Sequence, residues 1–329
     1  MIRFGVIGTN WITERFLESV KELEDFTLTA VYSRTEEKAR EFANKYNVDT
    51  IYTDYEEMAK SEVIDAVYIA SPNFLHSEQS IVFMNHGKHV LCEKPLASNV
   101  AETKAMFEAA KQNQVTLMEA MRTTLMPNFK IIMDNLHKIG KVRRYFASYC
   151  KYSSRYDAYR EGTVLNAFNP KLSNGSLMDL GIYCVYPMVV LFGEPKDIKA
   201  TGVLLETGAD GSGSIVAQYD EMDAVIMYSK INDSYLPSEI QGEDGSIVIS
   251  ENISSPDDIE IRYKDGTVEK ISQPYAKLEM YYEADEFVRL IKEGKTMSDM
   301  NSFENSLITA KIIEAARKQI GVIYPADEK

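Results

Sequence analysis

The 329-residue sequence has only three cysteines, Cys92, Cys150 and Cys184. Their odd number, wide separation and lack of C-x-x-C spacing exclude a disulfide framework and a cysteine zinc site, and no other metal centre is expected. Such cysteine usage fits a reducing cytoplasm. Positive charge is in deficit: 36 Lys and Arg against 50 Asp and Glu leave a net charge of −14. A chain this acidic is not expected to offer a face to nucleic acid or to an anionic membrane. No apolar run approaches the roughly 18 residues of a membrane helix. Met1 leads at once into a strand-like run with no basic and then hydrophobic region, so no signal peptide is expected. Internal repeats and low-complexity linkers are absent too. What remains, 45% apolar and 26% charged, is the composition of a soluble globular protein long enough for two cores.

Glycine is short at one place where it matters. "RFGVIGTNWIT", residues 3–13, reads as strand, glycine turn and helix. Of the dinucleotide fingerprint G-x-G-x-x-G/A it keeps only Gly8. Asn10 takes the second glycine's place, and asparagine is the non-glycine residue that best tolerates a left-handed turn, so a left-handed Asn10 is expected. Gly8, Thr9, Asn10, Trp11 and Ile12 are then candidates to hold a pyrophosphate at the helix N-terminus.

The pattern supports that reading. Over residues 1–121 short apolar runs alternate with helical periodicity: strands at residues 2–8, 28–33, 64–71, 89–94 and 115–120, with helices between them. This rhythm predicts a Rossmann-type, doubly wound parallel sheet. From residue 122 to the end the rhythm becomes that of an α+β domain. One helix at about residues 128–138 precedes six or so strands of an antiparallel sheet, with Asp-Gly turns at Asp244-Gly245 and Asp265-Gly266. Helices at about residues 277–293 and 303–319 follow. Residues 208–213 read as an exposed loop. An open sheet needs its second face covered, which predicts a homodimer or a dimer of dimers through this C-terminal sheet.

Ligands of doubly wound sheets collect beyond the carboxyl ends of the strands. The second strand ends in Ser33-Arg34-Thr35, with no carboxylate for the ribose 2′-hydroxyl of NAD. Arg34 can pair with a 2′-phosphate, so NADP is preferred, with NAD the alternative. The strand at residues 64–71 ends in Ser71, Pro72, Asn73 and, further on, His76. The next ends in Glu93-Lys94-Pro95, where a lysine emerges from a buried strand and Pro95 sets the turn that aims it.

The glycine turn, "SPNFLH", "HVLCEKP", "LMEAMR" and "NGSLMDLGIY" occur in the order and spacing of the Gfo/Idh/MocA oxidoreductases, a family the chain resembles over nearly its whole length. The resemblance implies a Rossmann domain, an α+β domain with an open, mostly antiparallel sheet, and hydride transfer between a nicotinamide and a sugar-like alcohol or carbonyl. By position, Lys94 resembles the catalytic lysine, and Asp179 and Tyr183 the Asp-x-Gly-x-Tyr pair of the glucose–fructose oxidoreductase, dihydrodiol dehydrogenase and xylose dehydrogenase branch. The inositol dehydrogenase branch has histidine where this chain has Tyr183, which disfavours inositol as the substrate. In this reading Glu93 is structural or touches the nicotinamide ribose, and His76 lines the nicotinamide pocket or is a histidine on a helix surface. Arg122 stands where relatives have a tryptophan beside the pocket, Thr13 where they have alanine or glycine, and Asn174 replaces a glycine.

Tyrosine ordinarily titrates near pH 10, and a neighbouring ammonium favours its phenolate. Tyr183 is therefore the expected acid/base, with Lys94 stabilising the reacting oxygen. Asp179 orients Lys94, grips a substrate hydroxyl, or caps the following helix. Lys151, Arg155, Tyr156 and Asn169 are further candidates for substrate contact. Two other functions fit the same elements: a glycosidase-type enzyme that uses tightly bound NAD(P) transiently, and a non-catalytic NAD(P)-binding sensor.

Overall fold

In a computed structural model that describes residues 1–250 and 253–328, the chain forms two compact units. One is Met1–Arg122 with Lys277–Ser306; the other is Thr123–Ala276 with Leu307–Lys329.

The first unit is built on a six-stranded parallel sheet: β1 Ile2–Ile7, β2 Phe26–Tyr32, β3 Ile51–Tyr52, β4 Ala66–Ile69, β5 His89–Glu93 and β6 Leu117–Ala120, in the order β3-β2-β1-β4-β5-β6. The two-residue edge strand β3 is too short to show as a periodic run. The order reverses between β1 and β4, the switch point where nucleotides bind in such sheets. Phe4, Val6 and Ile7 are at most 1% exposed, because helices cover both faces. Phe16, on the helix Trp11–Ser19, stacks on Tyr68 of β4 with ring centroids 3.9 Å apart.

Residues 277–306, read from sequence as part of the second domain, pack in the first unit. Thr116 Oγ1 donates to the Lys295 carbonyl at 2.7 Å, and Asn301 Nδ2 donates to the carbonyls of Glu119 and Met121, each at 3.1 Å. Phe303 stacks on Phe107, and Phe287 is fully buried. These contacts join residues nearly 200 positions apart, which local periodicity cannot signal.

The second unit holds an eight-stranded sheet: β7 Val142–Cys150, β8 Asp197–Leu204, β9 Asp210–Gln218, β10 Asp223–Ser229, β11 Ser238–Gly242, β12 Gly245–Ile249, β13 Ile259–Tyr263 and β14 Val268–Lys270. Its order is β14-β13-β12-β11-β7-β10-β9-β8. The sheet is mostly antiparallel, as expected, with eight strands against the six or so read from the sequence and one parallel pair, β7 with β10. The chain leaves β7 through the helices Ser154–Arg160 and Ile182–Phe192 before the β8–β9–β10 meander returns beside it, and such a crossover gives a parallel pair. Residues 208–213 are also not simply an exposed loop. Asp210 begins β9 and is fully buried. Glycine there serves packing: a Cβ on Gly213 would stand 2.3 Å from the Tyr228 hydroxyl.

Ile198, Ile215, Ala217, Ala224, Ile226, Tyr145 and Ala147 form one buried face of this sheet. The segment Pro170–Phe192 has the length and apolarity of a membrane span, yet 72% of its most apolar stretch is buried in the fold, as in a core helix.

Candidate active site

In the first unit, Gly8 follows β1 with φ +102°, and a Cβ there would stand 2.5 Å from the Ala70 carbonyl oxygen. No other residue fits so close to the end of β4. Asn10 departs from expectation. It is extended, at φ −118° and ψ 176°, not left-handed. Its Oδ1 accepts from the N–H groups of Ile12 at 2.9 Å and Thr13 at 3.4 Å, and its Nδ2 donates to the Ala70 carbonyl at 2.8 Å. Asparagine is a strong N-cap, and an extended backbone is what capping requires. Thr13 Oγ1 closes the turn onto the Gly8 carbonyl at 2.6 Å. Thr9 Oγ1 lies 3.4 Å from Ser33 Oγ, so the ends of β1 and β2 meet. Trp11 is 58% exposed, and Arg34 is exposed at the end of β2.

At the end of β4, Ser71 Oγ donates to Gln79, and Pro72 and Asn73 lead into the helix His76–Asn85. His76 is 1% exposed, not a surface residue. Its ring nitrogens lie 2.9 Å from the carbonyls of Pro95 and Ser71, so it ties the end of β4 to the turn after β5. Burial holds its pKa below the usual histidine range.

Lys94 leaves β5 half-buried among carboxyls. Glu93 is buried, accepts from the Tyr68 hydroxyl, and has its pKa raised by burial against the pull of Tyr68 and Lys94. Glu119 of β6 accepts from the Leu96 N–H at 2.9 Å and the Ser306 hydroxyl at 2.7 Å. Burial pushes its pKa up to about 7, with Lys94 opposing the shift. Arg122 follows β6, and its Nε is 3.1 Å from Glu279, which also pairs with Arg15 at 2.9 Å. Glu283, on the helix Tyr281–Lys292, is fully buried and raised well above the carboxylate range by burial and by Glu93. Sequence reading missed Glu119, Glu279 and Glu283. The last two lie in the segment whose return to this unit was not visible.

In the second unit, Asp179 sits in a π-helical turn, Leu177–Gly181, that runs into the helix Ile182–Phe192. Such turns recur at functional sites because they swing one side chain out of the helical register. Asp179 is not the cap of this helix. That role belongs to Asp210, whose Oδ2 accepts the Leu177 N–H at 2.6 Å. Asp179 instead forms an ion pair with Lys230, which follows β10 and was not singled out in the sequence. Tyr183 is 6% exposed, and its ring meets Tyr149 of β7 edge-on at 5.7 Å. Gly181 leaves room for Tyr228, whose ring a Cβ there would meet at 3.1 Å.

The substrate candidates fall near these groups. The Lys151 N–H donates to Ser229, and the Ser153 N–H to Lys230, each at 2.9 Å. Arg155 lies on the helix Ser154–Arg160. Tyr156 packs on Phe168, and Asn169 caps the next turn by accepting from the Lys171 N–H at 3.1 Å. The three cysteines are free, and burial raises all three thiols, most strongly Cys92 and Cys184, which argues against nucleophilic roles. Among the described residues no cluster of metal-ligating side chains occurs.

A nucleotide-binding sheet with a lysine at one strand end, in a chain that also carries an Asp-x-Gly-x-Tyr turn, defines an NAD(P)-dependent oxidoreductase. Residues 2–121 match the Gfo/Idh/MocA oxidoreductase family with its NAD-binding Rossmann fold, and residues 136–248 match a Gfo/Idh/MocA C-terminal domain. The chain belongs to this family. It is 63% identical to scyllo-inositol 2-dehydrogenase (NADP(+)) IolU of Bacillus subtilis, over 100% of both chains. It is 31% identical to trans-1,2-dihydrobenzene-1,2-diol dehydrogenase of Danio rerio, over 100% of this chain and 99% of the relative. Among solved structures it resembles KijD10, a 3-ketoreductase from Actinomadura kijaniata in complex with NADP and TDP-benzene, with a TM-score of 0.84 and 23% identity over 98% of this chain and 99% of that one.

Proposed function

We propose that the protein is an NADP-dependent dehydrogenase of a cyclic polyol of the scyllo-inositol type. The full-length 63% identity to a scyllo-inositol 2-dehydrogenase (NADP(+)) carries this reading. It outweighs the expectation that Tyr183 in place of histidine disfavours inositol. A tyrosine and a histidine can perform the same proton transfer, so that residue does not by itself separate the substrates.

The residues present fit the cofactor. Gly8 makes the φ +102° turn against the Ala70 carbonyl that no side chain would allow, and at the end of β2 the exposed Arg34, with no carboxylate at the strand end itself, suits a 2′-phosphate. Thr9, Asn10, Trp11, Ile12, Ser33, Ser71, Pro72, Asn73, Glu93 and Arg122 complete the proposed cofactor contacts, with His76 supporting them through its two carbonyl contacts. Because Asn10 already occupies the N–H groups of Ile12 and Thr13, the free N–H groups before them are left for phosphate. When bound, NADP⁺ supplies the hydride acceptor.

Tyr183 takes the proton of the reacting hydroxyl, and Lys94 donates a charge-assisted hydrogen bond to the same oxygen as negative charge develops on it. Asp179 accepts from a neighbouring substrate hydroxyl, and Lys151, Arg155 and Asn169 complete the polyol contacts. Replacing Tyr183 by Phe tests the assignment. A kcat loss of about 10²- to 10⁴-fold is expected, and a loss below about tenfold would reject the acid/base role.

The protein is further proposed to act in the cytoplasm as a dimer or dimer of dimers. The sheet face opposite the buried one carries Val203 and Val216, 54% and 46% exposed, with half-buried Phe146, Val225 and Met227, an apolar surface suited to a second copy. A monomer by light scattering at micromolar concentration would contradict this.

A further inference from the structure

Lys230 is 3% exposed, and a buried lysine is rare unless it is paired. Its partner, the Asp179 carboxylate, is far less buried, with 31% of its side-chain surface exposed. The pair is therefore lopsided, with a cation inside the fold and an anion at its surface.

The lysine is held from several directions. Its N–H donates to the Gly211 carbonyl of β9 and its own carbonyl accepts the Ser153 N–H, both at 2.9 Å. Its ammonium lies 5.9 Å from the ring centroid of Phe168, the residue before Asn169. Its chain neighbour Ser229 accepts the Lys151 N–H. Asp179, Asn169, Lys151 and the turn leading to Arg155 are each tied, directly or through one adjacent residue, to Ser229–Lys230.

We propose that Lys230 is the positioning residue of the substrate site: it fixes the Asp179 carboxylate, in its ionised form, as the acceptor for a polyol hydroxyl. This rests on the reading of Asp179 and Tyr183 given above. A carboxylate ion-paired with an ammonium is an acceptor only. An anchored acceptor loses little freedom when it takes up the hydroxyl. A buried pair is a poor device for stability alone, since a well-packed apolar residue does as well or better. Its value lies in placing a charge.

The experiment compares wild type with Lys230→Met, Lys230→Arg, Asp179→Asn, Tyr183→Phe and the double variant Lys230→Met/Asp179→Asn. Thermal unfolding, NADP⁺ affinity by fluorescence titration, and kcat and KM for scyllo-inositol are measured. Lys230→Met is expected to lower kcat/KM by about tenfold or more, the scale of a charge-assisted hydrogen bond, with NADP⁺ affinity changed by less than about threefold. Lys230→Arg, which keeps the charge, is expected to recover most of the loss. The double variant is expected to lose no more than Asp179→Asn alone, because the two residues act as one unit.

Unchanged kinetics in Lys230→Met, or losses that multiply in the double variant, would overturn the proposal while Asp179→Asn and Tyr183→Phe still show their own losses. Full activity in Asp179→Asn and Tyr183→Phe would instead sink the underlying reading, and the Lys230 role with it. If Lys230→Met does not fold, Lys230→Gln takes its place. Failure of both neutral variants to fold would make the lysine a structural ion and overturn the positioning role.

Discussion

Asp210 reaches from the start of β9 to the turn that carries Asp179, where its Oδ2 accepts the Leu177 N–H at 2.6 Å. Its other oxygen lies where a Cβ on residue 175 would stand, 2.0 Å away. Gly175 is thus required by the carboxylate that anchors the turn. Gly175→Ala is expected to lower stability by about 1–3 kcal/mol, as overpacking does, and to reduce kcat by displacing Asp179. Urea unfolding and steady-state kinetics on the same variant check both effects. An alanine variant with wild-type stability would show that the carboxylate moves aside freely.

Asn10 acts as a helix cap. Asn10→Ala removes the acceptor for the Ile12 and Thr13 N–H groups and is expected to destabilise by about 1 kcal/mol, whereas Asn10→Gly costs only a few tenths. Chemical denaturation separates the two. Equal losses in both variants would shift the weight from the cap to the bond with Ala70.

Arg34 is expected to select the cofactor. Arg34→Ala should weaken NADP⁺ binding by about 10- to 100-fold, the worth of a charged hydrogen bond, and leave NAD⁺ binding nearly unchanged. Fluorescence titration with both nucleotides measures this. A parallel loss for both would place Arg34 on a part that they share.

Glu119 makes stability depend on pH in a direction of known sign. Its pKa is raised to about 7 in the folded protein, so the native state holds a proton that the unfolded chain releases above the ordinary glutamate pKa. The group's contribution is most favourable below about pH 4, declines as pH rises, and levels off above about pH 7. Glu119→Gln cannot ionise and can keep one partner as acceptor and the other as donor. Relative to wild type it should gain stability between pH 5 and pH 8, by on the order of 3 kcal/mol. A difference that does not change with pH would contradict the raised pKa.

Much of this was legible in the sequence. The alternation of strands and helices located the parallel sheet, and Gly8 and Lys94 marked the strand ends because few residue types suit such places. The resemblance to the Gfo/Idh/MocA family singled out Asp179 and Tyr183, which stand on one helical stretch, the π-helical turn and the helix it enters. Other parts were hidden because they depend on contacts between distant residues. Lys230 looks like the end of an ordinary strand until its ion pair is seen. Asp210 lies among glycines that suggest a loop; of these Gly213 instead admits Tyr228, while the distant Gly175 admits the Asp210 carboxylate. Glu279 and Glu283 belong to a segment that returns across some 150 residues to the first unit. At Asn10 the residue's tolerance of left-handed backbone was the wrong guide, and its strength as an N-cap decided the conformation.

The central claim is tested most directly by adding scyllo-inositol and NADP⁺ to the purified protein and following nicotinamide absorbance. The account predicts NADPH formation that saturates with scyllo-inositol and is slower by about tenfold or more when NAD⁺ replaces NADP⁺, as loss of the Arg34 contact implies. No NADPH from scyllo-inositol, or faster turnover with NAD⁺, would contradict it.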